Sequence, residues 1–299
     1  MSRLQADLVL LLVALIWGAA FVAQKEAMEH VGPYTFIAAR FGISALLVLP
    51  LALREQSRGA RLGRSAARDL GFLCVAFCAG VIFQQAGVAL TSVTNAGFLT
   101  GLYVLFTAVI CAVIYRQKLS RLVIPAALMS VAGVGLLSGG YDLARINVGD
   151  TLVLCCAVGF GFQVALVGRV MDKWPAPFRV CFIQYASVTF IAGLAALVIE
   201  QASLANILNA GWPILYAGAI SGGIAYTLQV VAQRFTPASD AAVIMSAESL
   251  FAALFGALLM SEKLTLAGGI GCALIISAIL LVEFAPYLRR KLVQPHPSN

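Results

Sequence analysis

The sequence predicts an all-α integral membrane protein, with ten transmembrane helices arranged as two inverted five-helix repeats. Three observations predict it. Of the 299 residues, 61% are hydrophobic and 11% charged, with a mean hydropathy of +0.95, whereas a soluble domain is about 45 to 50% apolar and about a quarter charged. The charges fall in short clusters between long uncharged runs, the pattern of a polytopic membrane protein. The chain also matches itself at an offset of about 145 residues. The net charge of +7 argues for no nucleic-acid partner, because the basic residues sit in loops between apolar segments, where they orient a chain in a bilayer.

A span needs roughly 20 apolar residues to cross about 30 Å of hydrocarbon. Ten segments qualify, at about 7–28, 33–53, 69–90, 95–115, 121–139, 150–171, 177–199, 211–232, 239–260 and 265–285. The first follows Arg3 and carries the small residues Gly18, Ala19 and Ala20, as a signal peptide would. Its length, Trp17 and its later counterpart make it a span. Thr94-Asn95 and Ser239-Asp240 stand just ahead of spans four and nine, where their oxygens are expected to cap the first backbone donors. Gly135 and Gly139, and Ala267 and Gly271, give spans five and ten small-residue faces for close helix approach, leaving the protein monomeric or homodimeric.

Loop charges set the orientation. With the N-terminus inside, one side collects Arg3, the five arginines Arg54 to Arg68, Arg116, Lys118, Arg121, Arg169, Lys173, Arg179, Arg234 and Arg289 to Lys291, while the other loops hold only Arg145 and Lys263. Both termini are expected in the cytoplasm, and the protein in a cell or inner membrane.

The repeat divides the chain at 1–144 and 145–299. Thr91, Ala96, Phe106, Ala112 and Lys118 match Thr236, Ala241, Phe251, Ala257 and Lys263, while Asp7, Gly18 and Met28 match Asp150, Gly161 and Met171 at an offset of 143. Five spans per copy is an odd number, so the second copy must enter from the opposite side. The loop charges agree, since the arginine-rich loop after span two has a mate around 200–210 without Lys or Arg. Inverted repeats are the architecture of secondary transporters with a midplane site.

The string Leu15-Ile-Trp-Gly-Ala-Ala-Phe21 followed by Lys25, then Pro33 and Ala39-Arg40-Phe41, set in a ten-span repeat of this length, resembles the drug/metabolite transporter superfamily in its EamA-type branch. The second copy departs from it, with Phe160-Gly161 for Trp-Gly and Gln184-Tyr185 for Arg-Phe, so the halves differ in function. The resemblance implies an exporter without ATPase parts or cofactors, similar to the aromatic amino-acid exporters. Proton-coupled drug efflux and lipid or small-molecule flipping are the alternatives.

A polar side chain at mid-membrane is costly unless it meets a partner or a wet cavity. Glu248, halfway along span nine, is the strongest candidate, and its repeat mate is Tyr103. Thr100, Tyr103 and Thr107 form a stripe on span four, and Tyr226, Gln229 and Gln233 another on span eight. Gln84 is the mate of Gln229, Gln163 completes a polar ring, and Trp17 with Phe160 supplies aromatic walls. Spans one, three, four, six, eight and nine should therefore line a central cavity, with five and ten peripheral. Glu248 would meet a substrate ammonium or exchange a proton, and a substrate carboxylate would be met by Gln84, Gln229 or a half-helix amino end. Lys25 and Arg40, near Glu26 and Glu29, are expected to form a structural ion-pair cluster, with an outer gate or carboxylate contact as the alternative.

The seven cysteines all lie in apolar runs, and Cys74 and Cys78, though on one helical face, lack partners for a metal site. His30 and His296 are the only histidines, in a loop and a tail, and with no paired carboxylates at membrane depth an enzyme is not expected.

Overall fold

A computed structural model describes residues 1–55, 61–91, 93–137, 147–201, 203–259 and 265–293, with backbone alone at 93–95, 137, 256–259 and 283–293. Among these residues the chain is helical throughout: α1 (Arg3–Ala27), α2 (Pro33–Arg54), α3 (Arg64–Leu90), α4 (Val93–Gly101), α5 (Tyr103–Val109), α6 (Val123–Leu137), α7 (Val148–Lys173), α8 (Pro177–Ile199), α9 (Leu204–Asn209), α10 (Gly211–Leu215), α11 (Thr227–Ala232), α12 (Ala238–Met245), α13 (Ala247–Leu259) and α14 (Leu266–Val293). Two π-helical stretches, Ile110–Ile114 and Tyr216–Tyr226, extend α5 and join α10 to α11.

Eight helical stretches among the described residues are long and apolar enough to cross a membrane, against the ten anticipated. At the segments anticipated as spans five and ten, the residues with described side chains form the apolar helical stretches Val123–Leu136 and Leu266–Val282, parts of α6 and α14. The two pack on each other through α6 and α14. The outer surface is apolar: Leu53, Leu197 and Val198 are 74%, 84% and 85% exposed, suited to lipid rather than water.

Helix ends explain where the elements start. Ser2 with Gln5 and Asn147 with Asp150 form capping boxes ahead of α1 and α7. Ahead of α2 and α8 stand Gly32 and Ala176, which offer no side-chain cap. Instead Glu200, past the end of α8, accepts from the backbone N–H groups of Tyr34 and Thr35 at 2.9 and 2.8 Å. Reciprocally Glu55, past the end of α2, accepts from those of Phe178 and Arg179 at 3.5 and 3.0 Å. The two helices therefore run antiparallel, the finish of each lying against the start of the other.

The anticipated caps at Ser239 and Asp240 are corrected: Pro237 occupies the cap position and α12 starts at Ala238, so both residues fall inside the first turn. Asp240 there pairs with Arg3 at 2.8 Å. The side chains of Thr94, Asn95 and Arg289 to Lys291, together with Arg58, Gly139, Arg145, Lys263 and His296, lie outside the described residues.

Two long helical rods are interrupted where it matters. Leu102 separates α4 from α5, and Ser246 separates α12 from α13. Tightened turns span both points, with Leu102 N–H donating to the Leu99 carbonyl at 3.3 Å and Ser246 N–H shared between the Ala242 and Val243 carbonyls at 3.1 and 3.2 Å. Such mid-helix tightening marks hinges and strained sites. Close crossings fix α1 and α7 against these rods. A Cβ on Gly18 would sit 2.7 Å from Phe251 Cβ and 2.8 Å from the Glu248 carbonyl, and one on Gly161 2.7 Å from Phe106 Cβ.

Candidate central site

Between α1, α3, α7 and the two interrupted rods lies a small, partly open cavity. It is lined by Trp17, Phe21 and Gln24 of α1, Arg40 of α2, Gln84 of α3, Thr100 and Tyr103 at the first interruption, Phe160 and Gln163 of α7, Ser221 and Tyr226 of the π-helical stretch, and Met245 and Glu248 at the second interruption. Among the described residues, none of α6, α8 or α14 lines it.

Most of the anticipated residues meet here. Trp17, Gln84, Thr100, Tyr103, Gln163, Tyr226 and Glu248 all face the cavity. Trp17 is held by a bond from its Nε1 to the Ser221 carbonyl at 3.3 Å and lies 4.5 Å from the Tyr226 ring. Phe41, Phe77 and Tyr185 back Tyr226, with Phe77 edge-on to it at 5.2 Å. An aromatic cluster of tilted and edge-on rings of this kind gives stiff walls.

Gln229 is a correction. It is fully buried and outside the cavity, its Nε2 donating to Gln163 Oε1 at 3.2 Å and to Gln233 Oε1 at 3.0 Å, while Gln233 donates to the Val164 carbonyl at 3.0 Å. An amide whose bonds are spent this way serves helix packing, and it reaches the cavity wall through its bond to Gln163. Thr107 likewise bonds the Tyr103 carbonyl at 2.8 Å instead of facing the cavity.

The ion-pair cluster around Lys25 and Arg40 is a second correction. Lys25 donates to the Val88 carbonyl at 3.4 Å and does not line the cavity. Arg40 lies inside, 3% exposed, with its guanidinium carbon 5.1 Å from the Phe36 ring and 4.8 Å from the Phe41 ring. Neither Glu26 nor Glu29 pairs with it; both point to the surface. The reason is α2's register, in which Arg40 falls on the buried stripe with Ile37, Phe41 and Ser44.

The cavity therefore carries one buried group of each sign. Glu248 is 5% exposed, and its Oε1, like Nε and Nη2 of Arg40, has no hydrogen-bond partner in the protein. Among the described residues neither forms an ion pair. Gln24 Oε1 and the Tyr103 hydroxyl are also unpartnered. A charge at mid-membrane costs about 2.5 to 3.5 kcal/mol on insertion scales unless something meets it, so two such charges facing one cavity mark a place where a ligand or water completes the bonding.

Sequence reasoning missed Gln24, Ser221 and Met245. Gln24 was within reach, because it stands seven residues after Trp17 and so on the same helical face. Ser221 and Met245 carry no such signal. Their positions follow from the π-helical winding of Tyr216–Tyr226 and from the turn at Ser246.

Known proteins place this fold. A family model for the EamA-like transporter family matches twice, over residues 4–139 and 147–284, so the chain carries two copies of one family unit. An uncharacterized transporter of Archaeoglobus fulgidus is 32% identical over 283 residues, covering 94% of this chain and 87% of that one. The uncharacterized transporter YwfM of Bacillus subtilis is 27% identical and covers 98% of both. A WAT1-related chloroplastic protein of Arabidopsis thaliana is 24% identical over 90% of this chain and 67% of its own length. A solved crystal structure shares the fold, with a TM-score of 0.77 and 20% identity over 98% of this chain and all of that one. With the family unit matched across nearly the whole length of a multi-pass helical body, the chain belongs to the EamA-like transporter family.

Proposed function

We propose that the protein is a secondary transporter that exports small metabolites, amino acids foremost, by alternating access around the central cavity. The observation that carries this reading is Glu248: a buried carboxyl with an unpartnered oxygen, facing a cavity between the two family units. It would receive a substrate ammonium or exchange a proton in the cycle. In this reading the units 1–144 and 145–299 are inverted five-span repeats, ten spans in all, with both termini cytoplasmic in the inner membrane.

Reciprocal contacts between equivalent residues support the inversion. Glu200 and Glu55 cap each other's helix partners. Thr236 donates to Asp7 at 2.6 Å, and their equivalents Thr91 and Asp150 form the same bond at 2.5 Å. Gly18 packs on Phe251 as Gly161 packs on Phe106. A contact repeated between the halves of an inverted repeat falls on opposite sides of the bilayer, one latch for each face.

The test is efflux of a labelled amino-acid panel from proteoliposomes, with and without a pH gradient. Glu248→Gln keeps the side chain's size and is expected to express normally with strongly reduced efflux and an altered pH profile. Native rates with an unchanged profile in that variant would remove Glu248 from the cycle.

A further inference from the structure

The transport reading assigns no task to Arg40. We infer that its guanidinium is the anchor for a substrate carboxylate, so that the cavity takes a zwitterion with its carboxylate toward Arg40 and its ammonium toward Glu248. This rests on the transport reading above and specifies the substrate class of the same site.

Four observations carry it. Arg40 is 3% exposed and lines the cavity, yet Nε and Nη2 have no partner in the protein and no carboxylate of the described residues pairs with it. A planar fork of donors left open in this way is matched by a two-oxygen anion bound through both oxygens. The fork is held in place. The rings of Phe36 and Phe41 lie near it, Ser44 Oγ ties α2 to the Gly218 carbonyl at 2.7 Å, and a Cβ on Gly218 would lie 2.7 Å from the Arg40 carbonyl, so the glycine lets the π-helical stretch clamp the turn that carries Arg40.

The equivalent position of the second copy is Gln184, which bonds the Val180 carbonyl at 3.4 Å and does not line the cavity. The site thus has a cationic end and no duplicate of it. Finally, among the described residues the lining holds one guanidinium, Arg40, and one carboxyl, Glu248. A ligand with one charge of each sign neutralises both, whereas an amine or an acid alone leaves a buried charge unmet.

The experiment uses the full-length protein in detergent. The 20 proteinogenic amino acids are screened by thermal shift. Calorimetry then compares the tightest binder with its decarboxylated amine and its deaminated acid, phenethylamine and 3-phenylpropanoate if the binder is L-phenylalanine. The wild type is expected to bind the amino acid at least tenfold tighter than either relative. Arg40→Gln should weaken the amino acid at least tenfold while leaving the amine within twofold, and Arg40→Lys should fall between. Without ligand, Arg40→Gln should melt no lower than wild type, since it removes a buried charge whose Nε and Nη2 have no hydrogen-bond partner; a structural arginine predicts a lower melting temperature.

Equal weakening of amino acid and amine by Arg40→Gln overturns the anchor, as does a wild type that binds the amine as tightly as the amino acid. Should Arg40→Gln fail to fold, the ligand series on wild type and Arg40→Lys decides alone. Binding of the acid without any amino acid, lost in the Arg40 variants, upholds the anchor and refutes amino-acid export. Absence of any carboxylate binding refutes the anchor, while flux of other solutes would leave the transport reading standing.

Discussion

The reciprocal caps between α2 and α8 are unequal, and that inequality is measurable. Neither helix has a side-chain cap of its own, so Glu200→Ala exposes the first donors of α2 and Glu55→Ala those of α8. Glu200 accepts three bonds, at 2.9 and 2.8 Å from backbone N–H groups and 2.7 Å from the Thr35 hydroxyl. At about 0.6 kcal/mol per bond in a membrane bundle, its loss costs about 2 kcal/mol, the upper end for a helix cap. Glu55 accepts two, one of them at 3.5 Å and so marginal, for about 1 kcal/mol. Glu200→Gln keeps an acceptor without the charge and is expected to lie between wild type and Glu200→Ala. Denaturant titration in detergent, read by tryptophan fluorescence, gives the three values. Equal losses at the two positions, or a larger one at Glu55, would refute the claim that these carboxylates act as caps with strengths set by their geometry.

Two further outcomes follow from contacts described above. Thr236→Val and Thr91→Val each delete one latch bond, and each is expected to raise the reactivity of a cysteine at Gln24, by about threefold, from one face of the membrane only, the two variants acting at opposite faces; the same face for both would refute the inverted arrangement. Gly18→Val forces side-chain atoms into the Phe251 and Glu248 turn and should destabilise by about 1 to 3 kcal/mol, whereas Gly168→Ala, with nothing within 4 Å of an added Cβ, should change the melting temperature little.

Which parts of this molecule were legible in the sequence depends on whether a signal is local. Hydropathy runs locate apolar helices, and spacing along one helix places Trp17, Gln84, Tyr103 and Glu248 on faces that the structure brings to one cavity. Period alone does not say which face of α2 is buried, and so Arg40 read as a partner for the nearby Glu26 and Glu29. Only packing against the glycine-bearing π-helical stretch turns it inward. Gln229 failed for a related reason: an amide on a polar stripe looks the same whether it meets a ligand or two other amides, and the bonds to Gln163 and Gln233 join residues far apart in sequence or one helical turn away. The tightened turn at Ser246 has no signature in composition, since neither Gly nor Pro stands in it, and Gly101 beside Leu102 does not distinguish its turn from that at Gly97, inside the same helix.

The placement of the two charges bears on how such a chain could have arisen. Arg40 belongs to the first family unit and its equivalent in the second is Gln184; Glu248 belongs to the second and its equivalent in the first is Tyr103. Two first units brought together would present a pair of guanidinium groups and no carboxyl, and two second units a pair of carboxyls and no guanidinium. Neither pairing of identical units can offer a dipolar pocket with one defined polarity. That property requires two diverged copies locked in a one-to-one ratio, which a single fused chain guarantees and free association of separate subunits does not.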